Sequence, residues 1–456
     1  LKKAPVNFFV GIHRMKRIFE DIAYTGAPVQ NCFWNVTAPS REFQTLGADQ
    51  SCDVAIVGAG FTGISAAYHL AKNGVSVILL DAETPLFGAT GRNGGFCCLG
   101  GSKASDAGLD RLFGKNERLL FRQAEKEAVG LVRGLLETNA IDADTHSSGE
   151  TQLAHRPKDS AEMAETKATI LQNYGVEATY HPKEELMQLG LGGPFFGALT
   201  TPLGFALNPR KYATGLLEAA IENGVKVYAH SPVIKIEGNP RGYDLRTPVA
   251  TLRAEKIIIA TNGYSSEDLP DWMRSRFMPV QSSIILTRSL KEDELNAQGW
   301  TSDQMAYDTR KLLHYFRLLP DRRFLFGMRG GLFATQGERK MIEREIRANF
   351  NAMFPAWSGV EIEHEWYGLL CLNRSKTPYV GAIPDMPGAF AGFGYHGNGV
   401  GMGSYAGALL ADLAWGVVPE RPYPQAMRTV PKRFPLGPYR RHLMRPLYQW
   451  MAWQDR

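Results

Sequence analysis

Cysteine is scarce in this chain. The five cysteines among 456 residues (Cys32, Cys52, Cys97, Cys98, Cys371) are too few for a disulfide framework. None is spaced C-x-x-C, which removes the common zinc pair, and no C-x₄-C redox pair occurs. The odd count fits a reducing compartment. No apolar run approaches the ~18 residues of a membrane-spanning helix. The chain begins at Leu1 rather than Met, so further residues are expected upstream. The apolar stretch 8–12 is too short for a secretion signal and no small-residue cleavage site follows it, so the first segment is expected to be an arm. Positive charge is lacking from the body. The net charge of +5 resides in the ends: Lys2, Lys3, Arg14, Lys16 and Arg17 at one, and Arg428, Lys432, Arg433, Arg440, Arg441, Arg445 and Arg456 against Asp455 at the other. An acidic body argues against a nucleic-acid partner. With 44% apolar and 21% charged residues, the composition is that of a globular protein, not a disordered or collagen-like one. There are no internal repeats.

What is present begins with Asp53-Val-Ala-Ile-Val-Gly58, an apolar run that reads as a buried parallel strand. A helical pattern over 61–73 stops at Gly74, and Val75-Ser-Val-Ile-Leu-Leu-Asp81 reads as a second strand. This is a βαβ unit. Between strand and helix stands Gly58-Ala-Gly60-Phe-Thr-Gly63, a G-x-G-x-x-G motif in its proper setting. Gly58 makes the turn, Gly60 lets backbone approach a pyrophosphate, and Gly63 lets helix pack on strand. The helix N-terminus, with Ala59, Phe61 and Thr62, offers N–H groups to phosphate. Asp81, with Ala82 after it, stands where a carboxylate accepts the ribose hydroxyls of adenosine. The motif alone leaves NAD and FAD open.

Three further turns bear on that choice. In Gly88-Ala-Thr-Gly-Arg-Asn-Gly-Gly95, Thr90 and Arg92 are candidate donors, and Gly91, Asn93, Gly94 and Gly95 supply a backbone that can follow a longer cofactor. Ala260-Thr-Asn-Gly263 closes a buried strand, making Thr261 and Gly263 candidates for a cofactor edge. Gly392-Phe-Gly-Tyr-His-Gly-Asn-Gly-Val-Gly-Met-Gly403 precedes a helix, so Gly397, Asn398, Gly399, Val400 and Gly401 can present N–H groups to an isoalloxazine. No second G-x-G-x-x-G lies on a βαβ unit. Elsewhere the pattern predicts a long helix over 110–137, a helix over 209–223, strands at 225–228, 233–237 and through 275–335, and a charged helix over 338–353.

On these segments, together with Leu207-Asn-Pro-Arg210, the run 219–237 and the run 366–413, the chain resembles the FAD-dependent amine and amino-acid oxidase superfamily that includes D-amino-acid, glycine and sarcosine oxidases. Asn31-Cys-Phe-Trp34 and Cys371-Leu-Asn-Arg374 make it more closely similar to bacterial γ-glutamylputrescine oxidase and pipecolate oxidase-like members. The resemblance implies an α/β fold: a Rossmann-like FAD-binding domain assembled from discontinuous segments (50–149, 206–270 and 366–420), with an inserted α+β substrate domain (150–205 and 271–365) carrying a mostly antiparallel sheet. An N-terminal arm (1–49) and a basic aromatic tail (421–456) flank them. It also implies FAD as cofactor, with Val233 giving a backbone contact to adenine. The implied activity is oxidation of a C–N bond in an amine or amine-derived substrate, by hydride transfer to flavin N5. The resulting imine hydrolyses, and oxygen reoxidises the flavin. Alternatives are a membrane-associated dehydrogenase that passes electrons to quinone and a flavin-binding scaffold without turnover.

The sequence departs from this family at both usual carboxylate anchors. Leu370 stands where an arginine follows the Trp-x-Gly strand, and Gly401 stands where sarcosine oxidases have a lysine. A simple α-amino acid is therefore not the expected substrate, since a buried carboxylate without a cation is costly. The candidate catalytic and anchoring residues are His396, Arg329 and Arg374. Tyr315 and Phe316 read chiefly as core, as do Cys97 and Cys98. Cys371 lies near the cysteine that sarcosine oxidases bond to flavin, but non-covalent binding is expected. The tail mixes cations with Tyr, Trp and Met. It suits packing on the acidic body more than peripheral contact with an inner membrane, and a cytoplasmic location is expected.

Overall fold

The computed structural model describes residues 15–39 and 41–455. Strand β1 (Gln50–Val57) is followed by helix α1 (Phe61–Lys72) and strand β2 (Val77–Leu80). β1 pairs in parallel with β2 on one side and with β3 (Thr251–Ile259) on the other. Val54 and Ile56 enter one hydrophobic cluster while Ala55 and Val57 enter another. The sheet is thus covered on both faces, which is why these strands read as unbroken apolar runs rather than alternating ones. Residues 226–228 extend the sheet beyond β2, 389–393 and 379–382 extend it beyond β3, and a hairpin of 235–239 and 242–246 branches from β3. The long helix expected over 110–137 is two, Asp106–Phe113 and Lys115–Thr138, because Gly114 at φ +86° turns the chain between them.

A second eight-stranded sheet contains β4 (Phe277–Ser289) and β5 (Ile362–Asn373), with strands 323–329, 314–318, 305–308, 150–153, 197–201 and 179–182 beyond β4. All its pairs are antiparallel except 305–308 with 150–153. Its core is aromatic: Trp300, Phe316, Phe324, Phe326, Phe350, Phe354 and Trp357 pack together. β5 pairs with β4 from Phe277 to Thr287, so residues 366–373 belong to this second sheet and not to the parallel one. Helix α2 (Gly399–Trp415) returns to the first domain and crosses α1, where a Cβ on Gly407 would meet Thr62 O at 2.4 Å.

The described parts of the arm and the tail are seated on the body. Residues 21–36 of the arm form three short 3₁₀ turns. Trp34 is 1% exposed, and its indole N–H donates to Asn93 O at 2.8 Å; the part of the expected arm over residues 1–14 lies outside the described residues. In the tail, Arg440 is fully buried and donates to both Glu267 oxygens at 2.9 and 2.6 Å and to Phe277 O at 2.9 Å. Arg441 pairs with Glu20 of the arm at 2.7 Å. Among the described residues no helix is long and apolar enough to cross a membrane.

Candidate functional site

A cavity of ≈ 380 Å³ runs from the carboxyl ends of β1, β2 and β3 to the second sheet. At its first end Gly58, Ala59, Gly60, Phe61 and Thr62 meet Asp81 and Ala82. Gly58 has φ +104°, and a Cβ there would stand 2.9 Å from Ala260 O. The Asp81 carboxylate accepts from Ala59 N at 2.8 Å and Glu83 N at 2.9 Å. Burial pushes its pKa up to about 6 despite these bonds. A group that offers two hydroxyl donors would satisfy the carboxylate's remaining lone pairs.

The second glycine turn lies beside it. Thr90 Oγ1 accepts from Phe61 N at 3.0 Å, capping α1, and its own proton stays available to the cavity that Thr90 lines. A Cβ on Gly60 would approach the same Oγ1 at 2.9 Å. Arg92 is 2% exposed and donates through Nε to Phe87 O at 2.8 Å. Its Nη2 is buried and has no partner among the described residues, although Arg92 lines the cavity. Asn93 and Gly94 also line it, but the Asn93 side chain serves its own loop, bonding Ala89 O, Thr90 O and Gly95 N.

Val233 and Thr261 reach the cavity wall, as do Gly397, Asn398, Gly399 and Val400 at the start of α2, which brings the positive end of that helix there. Gly63, Gly91, Gly95, Gly263 and Gly401 stand behind the wall instead. For four of them the reason is backbone packing. A Cβ would lie 2.0 Å from Gly58 O at Gly63, 2.5 Å from Leu86 O at Gly91, 2.0 Å from Leu207 O at Gly95 and 2.8 Å from Leu369 O at Gly263. Gly401 has only ordinary contacts, at 3.6 Å or more from Ala128, inside the helix.

At the other end Phe96, Cys98, Lys103, Ser282, Tyr307, Leu313, Tyr315, Arg329, Leu370, Cys371 and His396 enclose a chamber. The Tyr315 and Ser282 hydroxyls bond at 2.9 Å. His396 is buried, with Nε2 3.3 Å from Asn373 Oδ1. Burial, with Lys103 and Arg329 nearby, lowers its pKa to about 3, so the ring is neutral. Burial pushes the Cys371 thiol up to about 12. Arg374 is not in this group: its side chain is exposed and donates to Arg433 O at 3.1 Å. Strand alternation explains the difference, because Asn373 turns inward to Thr377 O and His396, which sends the next residue outward. Phe316, one residue after Tyr315, faces the aromatic core.

Residues the motifs did not signal complete the wall. Met15, Arg17 and Tyr24 bring the arm to the first end, where the Arg17 guanidinium lies 4.3 Å from the Tyr24 ring centre. Of these three only Arg17 carried a signal, as part of the positive charge of the first segment. Lys103, Tyr307 and Leu313 carried no pattern at all.

Two glycine turns, a carboxylate for ribose and a crevice at the strand ends define a dinucleotide-dependent oxidoreductase. The family described as FAD dependent oxidoreductase matches residues 53–413. The chain belongs to that family. It is 31% identical to a probable oxidoreductase OrdL of Rhizobium meliloti (strain 1021), over 93% of this chain and 97% of the relative. It is 29% identical to the gamma-glutamylputrescine oxidoreductase of Escherichia coli (strain K12), over 82% and 86%. Among solved structures, iminodiacetate oxidase from Chelativorans sp. BNC1 superposes with a TM-score of 0.68 at 20% identity, covering 83% of this chain and 100% of that one. The residues present fit FAD. The unpaired Arg92 Nη2, the raised Asp81 carboxyl and the space that a Gly60 side chain would take all face one cavity long enough to join both ends.

Proposed function

We propose that this protein oxidises the C–N bond of an amine or amine-derived substrate, giving an imine that hydrolyses, with oxygen as the electron acceptor. The observation that carries the reading is the continuity of the cavity, which puts the adenosine-type subsite and an aromatic chamber in one crevice. When bound, FAD supplies the hydride acceptor at N5.

The chain's own residues orient the substrate and exclude water. Phe96, Tyr307 and Tyr315 wall the chamber, and Tyr315 is held by Ser282. His396, neutral and fixed by Asn373, acts as a hydrogen-bonding wall rather than a cation. Among the described residues no acidic side chain lines the chamber, so the substrate amine reacts as its free base without a strong protein base. Arg92 Nη2, Asp81, Thr90 and the start of α2 would hold the cofactor, bound without a covalent link. The name of the Escherichia coli relative supports an amine substrate.

The test is an anaerobic panel of amines, amino acids and polyamine conjugates. Loss of the oxidised flavin band with at least one amine is expected, followed by hydrogen peroxide on admission of oxygen. A flavin that no member of the panel bleaches overturns the reading. Bleaching without peroxide transfers the acceptor role to a quinone.

A further inference from the structure

Two cations, Lys103 and Arg329, line the chamber, and among the described residues the acidic side chains on the cavity wall are Asp81 and Glu83, at the far, adenosine-type end. Among the described residues neither Lys103 nor Arg329 has an ion-pair partner. They come from unrelated elements. Arg329 ends strand 323–329 and pairs with Ser282 across from β4. Lys103 sits in the loop before Asp106–Phe113, a loop tied down by Lys103 N and Ser102 Oγ donating to Lys376 O at 2.8 and 2.9 Å. The two are close enough to oppose each other's charge, and both oppose charge on His396.

Like charges gathered without a counter-ion are unfavourable until an anion joins them. The Leu370 side of the chamber offers no charge. We propose that Lys103 and Arg329 together hold the anionic group of the substrate, so that this enzyme takes amines bearing a carboxylate set apart from the reacting carbon. The inference rests on the amine-oxidation reading and adds to it the substrate's charge and which end of the chamber receives it.

Lys103 also makes the site sensitive to pH. Lys103 keeps an accessible side chain, but the protein packed around it and the nearby Arg329 lower its pKa to about 8. The other groups facing the pair are His396, neutral above about 3; Cys98, whose thiol burial keeps protonated; and Tyr315 and Tyr448, whose hydroxyls stay protonated well above neutrality. Carboxylate binding therefore weakens as pH rises through 8, when Lys103 loses its charge.

The experiment titrates the FAD-loaded enzyme with glutarate, a probe that cannot be oxidised, and follows the shift of the visible flavin bands. A saturable shift is expected at pH 7, with an apparent Kd that rises at least tenfold in Arg329→Gln and in Lys103→Met and recovers in Arg329→Lys and Lys103→Arg. In the wild type the Kd should rise between pH 7 and 9, and this rise should be absent from Lys103→Met. The conservative variants and the flavin spectrum itself separate lost binding from lost folding. No shift by glutarate, or a Kd equal in all variants, overturns the inference. If uncharged amines still bleach the flavin in that case, the amine-oxidation reading stands. If glutarate binds as expected while no amine bleaches the flavin, the anion site stands and the reaction fails.

Discussion

The two ends of the cavity are built in opposite ways. The adenosine-type end comes largely from short runs, 57–62, 80–83, 87–90 and 92–94, and much of its work is done by backbone. The chamber draws its eleven side chains from eight separate stretches, with Phe96, Lys103, Ser282, Tyr307, Tyr315, Arg329, Leu370 and His396 each from a different one. Backbone geometry needs glycine at fixed spacing, so it leaves a signature in the sequence. Side-chain chemistry assembled by two sheets leaves none. The first end should consequently tolerate change poorly and affect folding and cofactor retention, whereas the second should alter chemistry with little cost to the fold.

The largest effect is expected at Gly63. A Cβ there would sit 2.0 Å from Gly58 O, a backbone atom that cannot give way without moving β1 or α1. Gly63→Ala should cost about 3 kcal/mol, at the upper end of overpacking penalties. Purified protein should be flavin-poor, with a lowered thermal midpoint. Full flavin content at an unchanged midpoint would break the claim that backbone packing governs this end.

Asp81→Asn comes next. Asparagine keeps the shape but loses the charge and one of the acceptors used by Ala59 N and Glu83 N. Charge-assisted hydrogen bonds contribute ~1.5–3 kcal/mol, so FAD affinity should fall about 10- to 100-fold, read by fluorescence on titrating apoprotein. Reduction of the residual bound flavin by substrate should keep its rate constant, because the change is remote from the chamber. A slowed reduction with unchanged affinity would reverse the assignment of the two ends.

How far the sequence anticipated this structure follows the same division. The βαβ unit was legible because both faces of its sheet are covered, which makes Val54–Val57 and Val77–Leu80 continuous apolar runs. The second sheet could be expected as strands, but not its order: β5 lies along β4 through pairings 75 to 96 residues apart, such as Val280 with Leu370. Arg329, expected as an anchor, lines the chamber. Arg374 faces away from the chamber, because a strand's last residue and the next point to opposite faces and the boundary decides which is inward. Several glycines of the motifs were expected on the cofactor and instead hold strands, turns and helices close together. Glycine serves both purposes, and spacing alone does not separate them.

A smaller effect of the opposite sign is expected at Glu150, behind the chamber wall. Its Oε1 accepts from Tyr307 at 3.4 Å, while Oε2 is buried without a partner among the described residues. Burial raises its pKa to about 8. In the unfolded chain the same group ionises in the ordinary carboxylate range, so between there and pH 8 the folded state binds the extra proton. Stability contributed by the protonated form is present at low pH and is lost as pH rises through this window. Glu150→Gln removes that loss. The variant should be more stable than wild type by on the order of 1–2 kcal/mol at pH 8 and nearly equal at pH 5, measured by thermal unfolding of FAD-loaded protein. A variant less stable at pH 8 would mean that the ionised carboxylate is held by bonds that compensate its burial.

The smallest effect sharpens the comparison most, because it concerns a reactive side chain at the chamber end that is expected to do no chemistry. Cys371 lines the cavity on β5, fully enclosed, with its thiol pushed up to about 12. A covalent bond to flavin needs the thiolate, whose population at neutral pH is then negligible, and the residue acts as a small apolar filler. Acid precipitation should leave the yellow colour in the supernatant for wild type and Cys371→Ser alike, with equal flavin content. A yellow pellet in wild type that turns white in the variant would show that FAD lowers the thiol's pKa on binding, and that this end of the cavity uses reactive side chains to retain the cofactor as well as to select the substrate.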